Sequence, residues 1–180
     1  MGTYISTVVE ILGPDGWRER EQEVFPKDQD ESPKLTQKAF NWQQYIMFSL
    51  FADVRTQDHG VVPIAPNRGL PENASDAALE EILGGWGAHG CLYPGRAEDE
   101  FKTVAQKVAN RNCDEAYGFS WLTAGELLAV DYDARITSME NPQKTETLRD
   151  ALGDRYFGNL DQLTRLGSPD QVRILFCFTG

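Results

Sequence analysis

Hydrophobic and polar positions alternate at the two ends of the chain and recur at helical spacing between them. Tyr4 to Leu12 is rich in β-branched residues, Gly13-Pro14-Asp15-Gly16 supplies turn chemistry, and a second alternating segment runs from Trp17 to Phe25, which predicts an N-terminal hairpin. At the other end Val172, Ile174, Phe176 and Phe178 alternate with Arg173, Leu175 and Cys177. Apolar side chains on both faces of that run predict a central strand.

Between these ends the spacing turns helical. From Asn41 to Val54, Trp42, Tyr45, Ile46, Phe48 and Ala52 recur on one side and Met47, Leu50 and Phe51 on the other, so a helix capped by Asn41 and buried on most sides is expected. Ser75 begins a short helix that Gly84-Gly85 ends, and Asp99 to Asn110 has one apolar stripe of Phe101, Val104, Ala105 and Val108. Thr123 followed by Glu126 is a capping-box pattern opening a helix with Leu127, Leu128 and Val130. Thr145 to Leu152 and Leu160 to Leu166 read as further helices, the second stopped by Gly167. Val61 to Pro71 holds three prolines and reads as a rigid loop, Gly84 to Gly90 as a glycine-rich loop around Trp86 and His89, and residues 26–38 as a charged surface loop. Strands at both ends with helices between them predict an α+β fold: a small, mainly antiparallel sheet, including the N-terminal hairpin and the C-terminal strand, covered by helices. No repeat or linker divides the 180 residues, so one domain is expected.

Composition then narrows the function. Acids outnumber bases 28 to 17 for a net charge of −11, which disfavours nucleic acid as a partner and confines any anionic ligand to a pocket with focused bases. No apolar run approaches the about 18 residues a membrane span needs, and no secretory leader opens the chain, so a cytoplasmic protein with no membrane partner is expected. Cys91, Cys113 and Cys177 have no CxxC spacing, and Cys177 reads as core. His59 and His89 are in no metal-ligand spacing and read as surface histidines; no metal or cofactor is expected. Phosphate-loop and nucleophile-elbow motifs are absent, and Ser120 in Gly118-Phe119-Ser120-Trp121 is no nucleophile. Arg55 at a buried helix end and Arg68 in the proline-stiffened loop stand out, because a guanidinium on rigid backbone loses less entropy when it grips a carboxylate or phosphate. Both, like Arg173, fit an internal ion pair as well as a ligand contact.

These residues carry a resemblance. Met1, Gly2, Ile5 and Glu10; Tyr45, Phe48 and Ala52-Asp53-Val54-Arg55; Pro63-Ile64-Ala65 with Arg68-Gly69-Leu70-Pro71 and Ser75; Ser120-Trp121-Leu122-Thr123 with Glu126-Leu127; and Val172-Arg173 with Phe176 and Phe178 resemble an uncharacterised phage and bacterial family whose members tend to begin Met-Gly-Cys-Asp-Ile-His. Gln43 and Gln44 stand where an Arg-Asn pair is usual, Thr3-Tyr4-Ile5-Ser6 where the family shows Cys-Asp-Ile-His, and Tyr117-Gly118-Phe119-Ser120-Trp121 where it shows His-Ser-His-Ser-Trp. The groups that remain suit stacking and hydrogen bonding better than proton transfer or metal ligation. The expectation is therefore a non-enzymatic, phage-type protein that sequesters a small nucleotide-derived ligand, an anti-defence sponge in the host cytoplasm. Its expected contacts are Tyr4, Ser6, Arg55, Asn67, Arg68, Trp86, Ser120, Trp121 and Arg173. A metal-dependent nucleotide hydrolase using Glu10, Asp53 and Asp131, and an acidic module that docks on a host protein, are the alternatives; homo-oligomerisation stays open.

Overall fold

The computed structural model describes residues 2–20, 38–55, 59–84, 103–104, 106 and 116–180. Its main sheet has four antiparallel strands in the order β2-β1-β6-β3: β1 Tyr4–Gly13, β2 Gly16–Glu19, β3 Ala116–Thr123 and β6 Val172–Thr179. A two-stranded ribbon pairs β4 Arg135–Thr137 with β5 Thr145–Thr147. Four α-helices accompany them among the described residues: α1 Tyr45–Ala52, α2 Asp76–Gly84, α3 Ala124–Leu128 and α4 Leu148–Thr164. The fold is α+β, with both chain ends contributing to the sheet.

β6 is the central strand for the reason its composition implies. All eight of its residues are buried, and alternate side chains enter two cores. Ile174, Phe176 and Phe178 join α1, α3 and α4 on one face, whereas Leu175 and Cys177 join Val8, Phe119 and the Ala78, Ile82 and Leu83 stripe of α2 on the other. The hairpin turn is Pro14-Asp15, closed between Gly13 and Gly16, and Gly16 takes φ 110°, where a side chain would be strained.

Several elements differ from expectation, each for a local reason. The strand expected over Trp17 to Phe25 spans Gly16–Glu19, and residues 21–25 lie outside the described set. Helix α1 starts at Tyr45 instead of Asn41, because Phe40 adopts φ 57° and Asn41 and Trp42 form a tight turn. The α1 N-cap Gln44 makes no capping bond; its Nε2 donates instead to the carbonyls of Ala151 and Leu152. Those carbonyls precede the kink of α4 at Gly153 (φ 72°, ψ 177°), so one helix supplies the donor that the other's interrupted ladder lacks. The two helices expected over 145–152 and 160–166 are thus strand β5 followed by one kinked helix, whose N-cap Thr147 Oγ1 accepts from Asp150 N–H at 3.0 Å. β3 was unexpected: its register shifts between Tyr117 and Ser120 at Gly118 (φ 64°), which breaks the period-two pattern. The Thr123–Glu126 capping box is present as expected. The loop at 26–37, the glycine-rich loop with Trp86 and His89, and most of the helix expected over Asp99 to Asn110 lie outside the described residues.

Gly118 makes the bulge a sensitive point. A Cβ there would sit 3.0 Å from Phe178 Cδ2 in a left-handed conformation. Gly118→Ala is expected to lower stability by about 1–3 kcal/mol, read as a shifted urea midpoint at unchanged slope.

Candidate functional site

The sheet collects its charge at one end. Glu10 on β1 lies across from Arg173 on β6, and both are buried, with Arg173 only 2% exposed. Glu10 Oε2 accepts from Arg173 Nε at 2.7 Å and Nη2 at 2.6 Å, and Oε1 accepts from Ser75 N–H at 2.7 Å. Arg173 Nη1 donates to Asn73 Oδ1 at 2.9 Å. The guanidinium carbon stands 3.9 Å from the Trp17 ring centroid and 5.5 Å from that of Trp121. Burial pulls the Arg173 pKa down while Glu10 pushes it back up, and an arginine so placed stays charged. This is the internal-ion-pair alternative for Arg173. Its work is to hold the 73–75 segment and two indoles against the sheet.

Arg68 is held differently. Its N–H donates to buried Ser120 Oγ at 3.0 Å, which fixes the proline-rich loop on β3, and Asn67 Oδ1 accepts from Gly69 N–H at 3.1 Å to shape the bend. The Arg68 guanidinium lies 4.5 Å from the Trp121 centroid and grips both Glu126 oxygens, a pair in which each side chain remains about three-tenths exposed (27% and 30%). Burial raises the Glu126 pKa, but bonds from Arg68 and Thr123 N–H, with the Arg68 charge, outweigh it and leave the carboxyl below its ordinary value. Arg68, Leu70, Pro71, Glu72, Asn73 and Trp121 line an open groove of about 510 Å³.

Five of the expected contacts therefore meet here: Asn67, Arg68, Ser120, Trp121 and Arg173. The others do not. Tyr4, 52% exposed, and Ser6 line a separate cavity of about 260 Å³ with Asn41, Trp42, Gln43 and the Lys38–Glu81 pair. Arg55, at φ 61°, donates from Nε to Thr3 Oγ1 at 2.7 Å and faces the Tyr45 ring at 5.8 Å. Trp86 lies outside the described residues. Asn73, Ser75 and Trp17 were missed; their signal was a lone acid in the β1 run and a lone base in the β6 run, which need each other and whatever surrounds them. His59, expected at the surface, has both ring nitrogens buried, with no hydrogen-bond partner among the described residues.

Among the described residues no three His, Cys, Asp or Glu side chains form a group that could hold a metal, so Glu10, Asp53 and Asp131 do not assemble one. No helix among them is long and apolar enough to cross a membrane. No protein-family model, curated protein or solved structure matches the chain.

The two pairs predict different responses. Arg173→Met strands a buried carboxylate and is expected to destabilise by about 3–5 kcal/mol in urea unfolding, with most of that recovered in Glu10→Leu/Arg173→Met. Glu126→Gln is expected to cost its full stability above the ordinary carboxyl pKa of 4.5 and progressively less below it. Because the folded pKa is depressed, its stabilisation is present above that value and is lost as pH falls through the folded pKa. Wild-type and variant stabilities, measured by thermal unfolding, should converge in acid.

Proposed function

We propose that the protein is a non-enzymatic binder that sequesters a small nucleotide-derived ligand in the Arg68–Trp121 groove, a phage-type sponge working in the cytoplasm of a host cell. The observation that carries this reading is the contrast between the two arginines. Arg173 is saturated inside the sheet, whereas Arg68 lies beside an indole at the groove mouth, in a partly exposed ion pair worth only about 0–1 kcal/mol. A phosphate can take over such a guanidinium at little cost, and a base stacked on an aromatic ring adds about 1–3 kcal/mol. Asn73, fixed by Arg173, and nearby Pro71 give a polar, stiff far wall.

Binding without turnover is favoured by what occupies the positions where the resembled family carries ionisable groups. Tyr4 and Ser6 line a surface cavity, and Phe119 is packed in the core beneath α2. None of the three holds a metal or moves a proton near neutral pH. With a net charge of −11, the chain repels anions at long range, so the short-range attraction has to come from Arg68.

Calorimetry with linear and cyclic mono- and dinucleotides, followed by chromatography of the recovered ligand, tests the proposal. Saturable binding of at least one nucleotide, recovered unchanged, is expected, with Arg68→Ala and Trp121→Ala each weakening it about tenfold. No binding across the set, or hydrolysed ligand, contradicts it.

A further inference from the structure

A second cleft opens behind the Arg68–Glu126 pair. It has a volume of about 430 Å³, within the range of small-molecule sites, and its walls are Leu50, Val61, Ile64, Val130, Ile136 and Leu148. Leu50, Val61, Ile136 and Leu148 belong to the main core, so the cleft reaches from the surface to the interior. Val62, 78% exposed, stands at its rim.

The walls are pinned by backbone bonds. Ile64 N–H donates to Leu50 O at 2.8 Å, Thr137 N–H to His59 O at 3.0 Å, and Leu148 N–H to Ala134 O at 2.9 Å. Tyr132 Oη, hydrogen-bonded to Leu127 O at 2.7 Å, ties the turn after α3 to that helix. An apolar space held open this way has little entropy left to lose when filled.

Its charge has one sign. Among the described residues, Glu126 and Asp131 are the only charged ones that line it, and no lysine or arginine does. Glu126 is shared with Arg68, but the Asp131 carboxylate accepts only the Asp133 N–H, at 3.1 Å, and joins no ion pair among the described residues. A neutral apolar ligand would leave that carboxylate unused and an anion would be repelled.

We infer that this cleft is a binding site for a small amphiphilic cation, an amine with an aliphatic body whose ammonium meets Asp131 at the rim. The apolar body displaces water from the core-facing wall and supplies affinity; the acid supplies selectivity. The inference does not rest on nucleotide binding, and its failure leaves the groove reading untouched.

Methyl NMR titration with hexylammonium, hexanol and hexanoate tests it. Saturable shifts at Val61, Val130 and Ile136 are expected, with Val8 and Ile82 unaffected. Hexylammonium should bind up to about fivefold tighter than hexanol at low salt, the limit for a partly exposed ion pair, and hexanoate weakest. Asp131→Asn, which keeps the turn's acceptor oxygen, should remove the preference for ammonium over alcohol, and Ala134→Phe should reduce binding of both. Absence of saturable shifts, a hexanoate preference, or an ammonium preference that survives Asp131→Asn overturns the inference.

Discussion

A carboxylate and a guanidinium inside the central sheet constrain everything around them. Glu10 and Arg173 occupy facing positions on β1 and β6, where water is excluded, and neither charge is tolerable there without complete pairing. Completion draws in Ser75 N–H for one Glu10 oxygen and Asn73 for the outer arginine nitrogens, so the segment entering α2 is held against the sheet. It also places Trp17 and Trp121 over the guanidinium from the two outer strands. The far wall of the groove is therefore a consequence of the ion pair. A hydrophobic pair of similar volume would preserve the strands and lose the reason for Asn73 to stand where it does.

The same site contains two arginines with opposite roles, and the difference is environment alone. Arg173 has carboxylate, amide and indole partners in the interior; Arg68 has one carboxylate and one indole at the surface. Screening by water makes the second pair exchangeable. Glu126 adds a geometric link, since it pairs with Arg68 on the groove side and lines the apolar cleft on the other, while its backbone-directed oxygen caps α3. One side chain thus serves a helix terminus, an ion pair and a cavity wall.

The parts of the fold that were legible in the sequence are those set by neighbouring residues. Pro14-Asp15 between β-branched runs, eight apolar-rich residues at the C-terminal end, and Thr123 with Glu126 each carry their own local chemistry. What was illegible depends on distant partners. Strand β3 hides behind the Gly118 bulge, α1 begins late because Phe40 turns left-handed and Asn41 and Trp42 form a tight turn, and the kink at Gly153 makes one helix read as two. The candidate site divides the same way. Arg68, Ser120, Trp121 and Arg173 were recognisable as residues of interest, yet the partner that fixes Arg173 is 163 positions away, and only the sheet register separates it from Tyr4 and Ser6 farther along the same strand. Spacing along the chain cannot assign a guanidinium to the interior or to the surface when both have carboxylates within the fold.

Arginine side-chain NMR reaches this distinction directly. With Nε–H resonances assigned through substitution, Arg173 is expected to exchange slowly with solvent and keep its shift on addition of pyrophosphate, while Arg68 exchanges fast and moves saturably. A rapidly exchanging Arg173, or a pyrophosphate response at Arg173 with Arg68 silent, would contradict the division between a fixed and a recruitable arginine on which the site rests.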